Sequence, residues 1–407
     1  MKAPLLPPRM FRPAHDEGLK VFLIAGEASG DVLGAALMRA LTRRVGRVSF
    51  AGVGGPDMEM EGLESLVPLS EISVMGIMPV LKRLPQLVAR LGKIAEAVIA
   101  ANADVLVLID SPDFTHRVAR RVRRAQPNLP IVNYVGPSVW AWRPWRARRM
   151  CSYIDHVLAL LPFEPDEYKR LEGPDCTYVG HPLVEQIGVL RPSPNETLRR
   201  ERSPPILVIM PGSRESEVRR LMPIFAGVAE RLSEAHRLDF VLPTLPHLED
   251  LVRAEAEKWP AKPRITATAE GKHAAVRCAR AALVASGSAT LELALAGVPM
   301  VVAYRVWLIE ELVARQMLSI DKIALPNLIL GRHAVQECVQ ADCTATALTE
   351  AVTSLLVGRG ERKAQLTAFE ELASLMNIGA GVMPSDRAAE IVESIATRAC
   401  AGGKQAA

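Results

Sequence analysis

The stretch Ile206-Leu207-Val208-Ile209-Met210-Pro211-Gly212-Ser213-Arg214-Glu215-Ser216-Glu217-Val218 decides the fold. An apolar, largely β-branched run stops at Pro211-Gly212, and a polar, helix-compatible segment follows at once. That order reads as strand, tight turn and helix N-terminus. The first turn of a helix has free backbone N–H groups and the positive end of the dipole, so it attracts anions. Arg214 adds a guanidinium fork at the same place. A phosphate or diphosphate is the natural occupant of Ser213 and Arg214; an ordinary turn with a solvated Arg is the other reading. A second turn, Ala285-Ser286-Gly287-Ser288-Ala289-Thr290-Leu291-Glu292, repeats the logic after the apolar run from Ala281 to Val284. Two such turns in one α/β unit converge at the carboxyl edge of a parallel sheet, where open α/β sheets bind ligands.

Apolar strands alternate with helical patterns on both sides of this stretch. Downstream, strands are expected at 206–210, 238–242, 264–268, 281–285 and 299–304, which implies a parallel sheet covered on both faces. A helix-like run spans Leu308 to Leu318, and Asn327 follows Pro326 in a loop, as a ligand contact or a turn former. Upstream, the strand Leu19 to Ala25 enters Gly26-Glu27-Ala28-Ser29-Gly30-Asp31 and then a helix. The glycines permit a tight turn, but Glu27 and Asp31 make it a poor phosphate cradle. It is expected to face hydroxyls such as those of a sugar; capping by Ser29 or Asp31 is the alternative, favoured for Asp31. The strand Asp104 to Ile109 ends at Asp110-Ser111-Pro112-Asp113. A carboxylate at the carboxyl end of a parallel strand projects into the ligand crevice and can act as a general base. Asp110 is the better candidate, since Asp113 lies beyond Pro112; helix capping is open to either one.

The strand Ile131 to Val135 runs into a loop that holds Trp140, Trp142 and Trp145 with Arg143, Arg146, Arg148 and Arg149. Such a cluster suits an anionic ligand, an interfacial belt or a nucleic-acid strand, against tryptophans packed in a core. Between residues 72 and 91, Val74, Met75, Ile77, Met78, Val80 and Leu81 crowd beside Lys82 and Arg83. This stretch suits acyl chains or a membrane surface, or else a core-packed helix.

With 407 residues and 49% apolar content, the chain is globular and long enough for two domains. Boundaries are expected at a tail 1–18, an N-terminal domain 19–185, a linker 186–205 rich in Pro, Arg and Ser, a C-terminal domain 206–380, and a final helix 381–407. The net charge of +4 is too mild for a nucleic-acid partner. Six cysteines form no Cys-x-x-Cys pair and no zinc-spaced cluster, which fits a reduced cytoplasm and no metal. No signal peptide and no apolar run of the ~18–20 residues that span a bilayer is present, so membrane contact is expected to be peripheral.

Ala25-Gly26-Glu27-Ala28-Ser29-Gly30-Asp31, the Pro137-Ser138-Val139-Trp140-Ala141-Trp142 segment, Leu161-Pro162-Phe163-Glu164, Pro211-Gly212-Ser213-Arg214, Ala285 to Glu292 and Leu325-Pro326-Asn327-Leu328 resemble the lipid-A-disaccharide synthase family. The resemblance implies a glycosyltransferase-B fold, two Rossmann-like domains with parallel sheets around a cleft. It implies transfer from UDP-2,3-diacylglucosamine to the 6-hydroxyl of 2,3-diacylglucosamine 1-phosphate, with inversion and with neither cofactor nor metal. It puts the base at Asp110, diphosphate binding at Arg214, nucleotide contacts at Ser286, Gly287, Ser288, Ala289, Thr290 and Glu292, with Glu292 on the ribose. It places a functional asparagine at Asn327. Glu27, Ser29, Gly30, Asp31 and Ser138 complete the substrate-binding set, while Trp142, Trp145 and Arg146 join the 74–81 residues in acyl and membrane contact. It further implies a cytoplasmic enzyme on the anionic inner-membrane surface of a Gram-negative bacterium, sometimes a homodimer. Gly136 stands where relatives often have Ser, which could loosen the loop before Ser138.

Overall fold

The computed structural model describes residues 18–71, 77–306, 321–379 and 381–405. The chain divides into two compact units, Met1–Pro182 with Ile378–Ala407, and Leu183–Asn377.

The first unit is built on six parallel strands: β1 (Leu19–Ala25), β2 (Val48–Val53), β3 (Val105–Ile109), β4 (Ile131–Tyr134), β5 (His156–Ala159) and β6 (Asp175–Tyr178). Their order across the sheet is β2-β1-β3-β4-β5-β6. Helices cover both faces, so β3 reads as an unbroken apolar run with every residue buried. Side-chain alternation still sorts the two faces along β1. Phe22 and Ile24 pack with Ile94 and Val98 of α3 (Ile77–Ala101) and Val118 and Val122 of α4 (Pro112–Ala125). Val21, Leu23 and Ala25 pack against Leu37 and Leu41 of α1 (Ala28–Val45) and against the C-terminal helix Pro384–Gln405. That last helix presents Ala388, Ala389, Val392 and Ala396, small residues that allow close approach. Arg43–Asp386 at 2.7 Å and Arg44–Glu393 rim the contact. Such exposed pairs add at most about 1 kcal/mol each, so apolar burial carries the docking.

The second unit holds β7 (Ile206–Met210), β8 (Asp239–Pro243), β9 (Arg264–Thr266), β10 (Ala281–Ala285), β11 (Met300–Tyr304) and β12 (Gln336–Val339). All pair in parallel, in the order β12-β11-β10-β7-β8-β9. Leu207 and Ile209 pack on Leu221, Phe225 and Val228 of the helix Glu215–Ala235. The stretch 186–205, expected as a linker, carries helices Ile187–Leu190 and Pro194–Glu201 folded into this unit. Arg200 is the reason: its guanidinium donates to the carbonyls of Arg277 (2.8 Å), Gly297 (2.7 Å) and Ala296 (2.9 Å). Arg277 in turn donates to Glu196 at 2.8 Å. Beyond β11, the expected helix at 308–318 lies outside the described residues.

Both sheets have one place where strand order reverses. In the first it falls between β1 and β3, in the second between β7 and β10. Loops that leave adjacent strands there diverge to opposite faces and open a crevice at the carboxyl ends. The two glycine turns, the Pro211–Arg214 turn and the Asp110 turn follow these four strands, while the loop with Ser138 and the tryptophans follows β4.

Candidate functional site

In the first unit, the turn after β1 and the turn after β3 touch. Gly26 donates its N–H to Ile109 O at 3.2 Å. A Cβ at Gly26 would lie 2.0 Å from the Ser111 Cβ, so only glycine fits. Asp110 and Ser111 have φ of +57° and +46°, consecutive left-handed residues without glycine. Each costs on the order of 1–3 kcal/mol and persists only where the surroundings over-determine it. Thr115 helps, its hydroxyl donating to the carbonyls of Asp110 (3.0 Å) and Ser111 (3.1 Å). The strained turn aims the Asp110 carboxylate across the crevice, where Ser29 Oγ donates to Oδ2 at 3.2 Å and Ser111 N donates to Oδ1 at 2.7 Å. Among the described residues no cation is bonded to it, which leaves a half-buried carboxylate with lone pairs still available. Asp113 is outside this arrangement: its side chain is 83% exposed and meets Arg146 at 3.4 Å.

Asp31 acts as a cap, the reading the sequence favours for it, but at a helix other than its own. It is buried, and its carboxylate accepts the N–H groups of Gly55 (2.7 Å), Asp57 (3.0 Å) and Met58 (3.1 Å). It caps the N-terminus of the next helix, α2 (Pro56–Met60), rather than its own or a sugar hydroxyl. Glu27 is the N-cap residue of α1, and Gly30 packs 3.2 Å from Ile109 O as measured from an ideal Cβ.

The Gly136–Trp142 loop is anchored from α6 (Glu164–Arg170). Tyr168 Oη donates to Pro137 O at 3.0 Å, and a Cβ at Gly136 would sit 2.4 Å from that oxygen. Gly136 therefore seats Tyr168 under the loop instead of loosening it. Glu164 accepts from Trp140 Nε1 (3.2 Å), Leu160 N (3.1 Å) and Leu161 N (2.9 Å). Burial raises its carboxyl to about 6 despite these donors. Trp140 thus packs inside, edge-on to Phe163 at 5.0 Å, and Ser138 stays exposed. Trp142 and Trp145 are 40% and 53% exposed, with Arg143 stacked on the first at 4.2 Å and Arg149 on the second at 4.6 Å. Trp145 opens α5 (Trp145–Met150), which also carries Arg146. Val74 and Met75 lie outside the described residues. Ile77, Met78, Val80 and Leu81 fall on α3, in the stretch where only the backbone is described.

Sequence reasoning missed a buried triad behind this loop. His116 Nε2 lies 2.6 Å from Asn133 Oδ1 and Nδ1 lies 3.2 Å from Tyr153 Oη. Asn133 Oδ1 can only accept, so Nε2 carries the proton and the neutral ring accepts from Tyr153. Burial holds the imidazole down at about 4, and the nearby Arg146 and Arg120 push the same way. The partners are 17 and 37 residues away, a spacing no local pattern reveals.

In the second unit, the helix Glu215–Ala235 does present an anion cradle, and the chain fills it. Glu217 Oε2 accepts from Ser213 N (3.0 Å) and Arg214 N (3.3 Å), while its Oε1 accepts from Arg214 Nη1 at 3.0 Å. The Glu217 carboxylate occupies the position expected for phosphate oxygens. Gly212, at φ +124°, makes room for it: a Cβ there would lie 2.5 Å from Oε2. After β10, Gly287 has φ +148° and open space where a side chain would be, and Ser288 is exposed. Ser286 Oγ donates to Ile323 O at 2.9 Å. Ala289 is half-buried and Thr290 is buried, its hydroxyl donating to Gly287 O (2.8 Å) and accepting from Leu325 N (3.3 Å). Glu292 is buried and ion-paired with Lys272 at 2.8 Å, with His273 Nε2 3.9 Å away.

Asn327 is fully buried and all its bonds stay within the protein. Its Nδ2 donates to Val335 O (2.8 Å) and Glu337 Oε1 (2.7 Å), and its Oδ1 accepts from Ala334 N (2.7 Å) and Val335 N (2.8 Å). It ties the helix Leu325–Leu330 to β12 and braces the turn that receives Thr290. Every donor and acceptor of the amide is engaged inside the protein, which is the turn-forming reading of this residue. Among the described residues, no helix is long and apolar enough to cross a membrane, and no cluster of three His, Cys, Asp or Glu could hold a metal.

Comparison with known proteins adds an independent finding. The family model described as lipid-A-disaccharide synthetase matches residues 21–390. A lipid-A-disaccharide synthase of Nitrobacter hamburgensis is 52% identical over 381 residues, covering 93% of this chain and 96% of the relative. One of Rhodospirillum centenum is 42% identical over 393 residues, covering 95% and 97%. Among solved structures, UDP-GlcNAc 2-epimerase of Neisseria meningitidis bound to UDP-GlcNAc superposes with a TM-score of 0.61 at 12% identity, over 93% of this chain and 100% of that one. A calicheamicin glycosyltransferase superposes at 0.59 with 15% identity, over 94% and 99%. These distant likenesses show the fold alone: two Rossmann-like units of the glycosyltransferase-B type.

Proposed function

The chain belongs to the lipid-A-disaccharide synthase family, and from that premise we propose how its own residues carry the reaction. It is a glycosyltransferase of lipid A biosynthesis, joining UDP-2,3-diacylglucosamine to 2,3-diacylglucosamine 1-phosphate and releasing UDP. The acceptor 6-hydroxyl oxygen attacks the donor's anomeric carbon as the bond to the diphosphate breaks. Asp110 takes the hydroxyl proton, and negative charge moves onto UDP. The observation that supports Asp110 is its strained left-handed turn at the β1/β3 reversal, which sets its carboxylate against Ser29. Ser29 orients the carboxylate.

The backbone N–H groups of Ser213 and Arg214 and the Arg214 guanidinium receive the diphosphate. Glu217 holds these donors in place beforehand and withdraws when the diphosphate arrives, since both compete for the same N–H groups. The helix N-terminus at Ser288 adds dipole stabilisation, and Glu292, held by Lys272, meets the ribose hydroxyls. Asp31, Thr290 and Asn327 act as positioning residues. Trp142 and Trp145, each stacked under an arginine, face the anionic cytoplasmic surface of the inner membrane, where the acyl chains of both substrates reside.

UDP release by the purified chain, with donor in detergent and EDTA, with and without acceptor, tests this reading. Release that requires acceptor, survives EDTA and yields a disaccharide is expected. Release without acceptor would mean a hydrolase and overturn it.

A further inference from the structure

Between α4 and α5 of the first unit lies a cavity of about 160 Å³ that the chemistry above leaves unused. Arg117 and Arg120 reach it from α4, and Arg143, Arg146 and Arg149 from α5 and the loop before it. Arg117 and Arg120 share one face of α4 and Arg146 and Arg149 one face of α5, and Arg143 joins them from the loop, so five guanidinium groups are concentrated. Against them the lining sets one carboxylate, Asp113, which pairs with Arg146 at 3.4 Å. Five like charges around a cavity repel one another, and the fold holds them with aromatic rings rather than with acids. Arg120 lies over the Tyr153 ring at 4.7 Å and donates to its hydroxyl at 3.1 Å; Arg149 lies over Trp145 at 4.6 Å. Stacking engages the flat face of a guanidinium and leaves its edge donors directed outward. Tyr153 is itself fixed by His116 and Asn133 beneath it.

Edge-on guanidinium donors around a small cavity match a phosphate bearing several unshared oxygens. A phosphomonoester carries about −1.5 to −2 charge near neutrality, more than one ester of the donor's diphosphate can concentrate at a point. The position singles out the acceptor. The cavity begins at Pro112 and Asp113, and the Cα of Pro112 can lie no more than about 7.6 Å from that of Asp110. In the acceptor, C1, which bears the phosphate, and C5, which bears the 6-hydroxymethyl group, both flank the ring oxygen, so the phosphate and the reacting hydroxyl reach from neighbouring corners of one sugar toward two nearby sites. We propose that this arginine cavity takes the anomeric phosphomonoester of the acceptor and so aims its 6-hydroxyl at Asp110. The inference rests on the transferase reading above and adds a specificity site to it.

The test compares 2,3-diacylglucosamine 1-phosphate with the same lipid bearing a free 1-hydroxyl, using the full chain and UDP-2,3-diacylglucosamine in detergent. Wild type is expected to prefer the phosphorylated acceptor by roughly tenfold to a hundredfold in kcat/KM, the worth of charge-assisted bonds to a phosphate. In Arg117→Gln and Arg149→Gln that ratio shrinks several-fold, through a higher KM for the phosphorylated acceptor, and Arg149→Lys restores part of it. Unchanged thermal melting shows that the variants are folded. Flotation with phosphatidylglycerol vesicles separates the other source of phosphate. If vesicle binding falls while the ratio stays, the cavity serves bilayer head groups and the proposal is overturned. Equal use of both acceptors by wild type overturns it too. A wild type that transfers to neither would instead strike down the transferase reading, and the cavity's assignment with it.

Discussion

Two hydrogen bonds hold the Asp110 carboxylate, one from Ser29 and one from its neighbour's backbone, and neither donor carries charge. Replacing it by asparagine keeps the size and one acceptor but removes the proton sink. Asp110→Asn is expected to lower turnover by about 10²–10⁴-fold while calorimetric UDP binding stays near wild type; wild-type turnover would exclude Asp110 as the base. Asn327 behaves in the opposite way. Its four bonds are all internal, and removing them strands buried donors and acceptors at about 1–3 kcal/mol each. Asn327→Ala should therefore lower the unfolding free energy by about 2–4 kcal/mol in urea titrations, with activity falling in step with the folded fraction. From sequence these two residues looked alike, polar groups in turns after apolar runs. The place of Asp110 was legible, because the apolar run before it marks the carboxyl end of a strand. For Asp31 and Asn327 capping and turn forming were open from the sequence, but their partners were not, because groups such as Gly55 or Val335 lie in turns that only the fold brings near.

At the scale of elements, strands such as β1, β3, β7 and β10 were legible because both faces are covered, which demands continuous apolar residues. The edge strands β6 and β12 were harder: Asp175–Tyr178 and Gln336–Val339 are short, carry an acid each and are buried on few positions. The tryptophan loop divides along the same line. Trp140 has a buried carboxylate to receive its N–H and packs inward, whereas Trp142 and Trp145 have only arginines stacked on their faces. Each exposed ring offers apolar area that a bilayer interface can cover. Trp142→Ser and Trp145→Ser are each expected to weaken binding to anionic vesicles by about tenfold or more, read by co-sedimentation at low salt. Unaltered partitioning in the double variant would remove this loop from membrane contact.

For the molecule as a whole, buried titratable groups set how stability responds to acid. His116 and His181 are held down at about 4 by burial, against 6.5 for an exposed imidazole. The unfolded chain takes up protons between pH 6.5 and 4 that the folded chain refuses. Their contribution is therefore complete above 6.5 and is lost as pH falls toward 4, on the order of 3 kcal/mol for each. Glu164 works in reverse: raised from 4.5 to about 6, it favours the folded state at acid pH and loses that advantage as pH rises through 6, about 2 kcal/mol. Two histidines outweigh one glutamate, so the urea midpoint should decline from pH 6.5 to 4. A midpoint that rises across that window would show that the imidazoles are not buried as neutral groups. The shared architecture with a UDP-GlcNAc 2-epimerase shows why fold alone names no reaction here.

The C-terminal helix has one more consequence, and it concerns synthesis. The first unit is interrupted at Pro182 and resumes only at Ile378. A ribosome adding ~5–20 residues per second needs on the order of 10–40 s to make the intervening segment. Throughout that interval the flank of α1 awaits Ala388, Ala389, Val392 and Ala396. The later-made unit thus closes its core first, and the earlier-made one finishes last. A nascent chain is most in need of a chaperone while that intervening segment is being made, and a nonsense codon a few residues short of Pro384 would cripple the unit begun before Pro182 rather than the segment just completed.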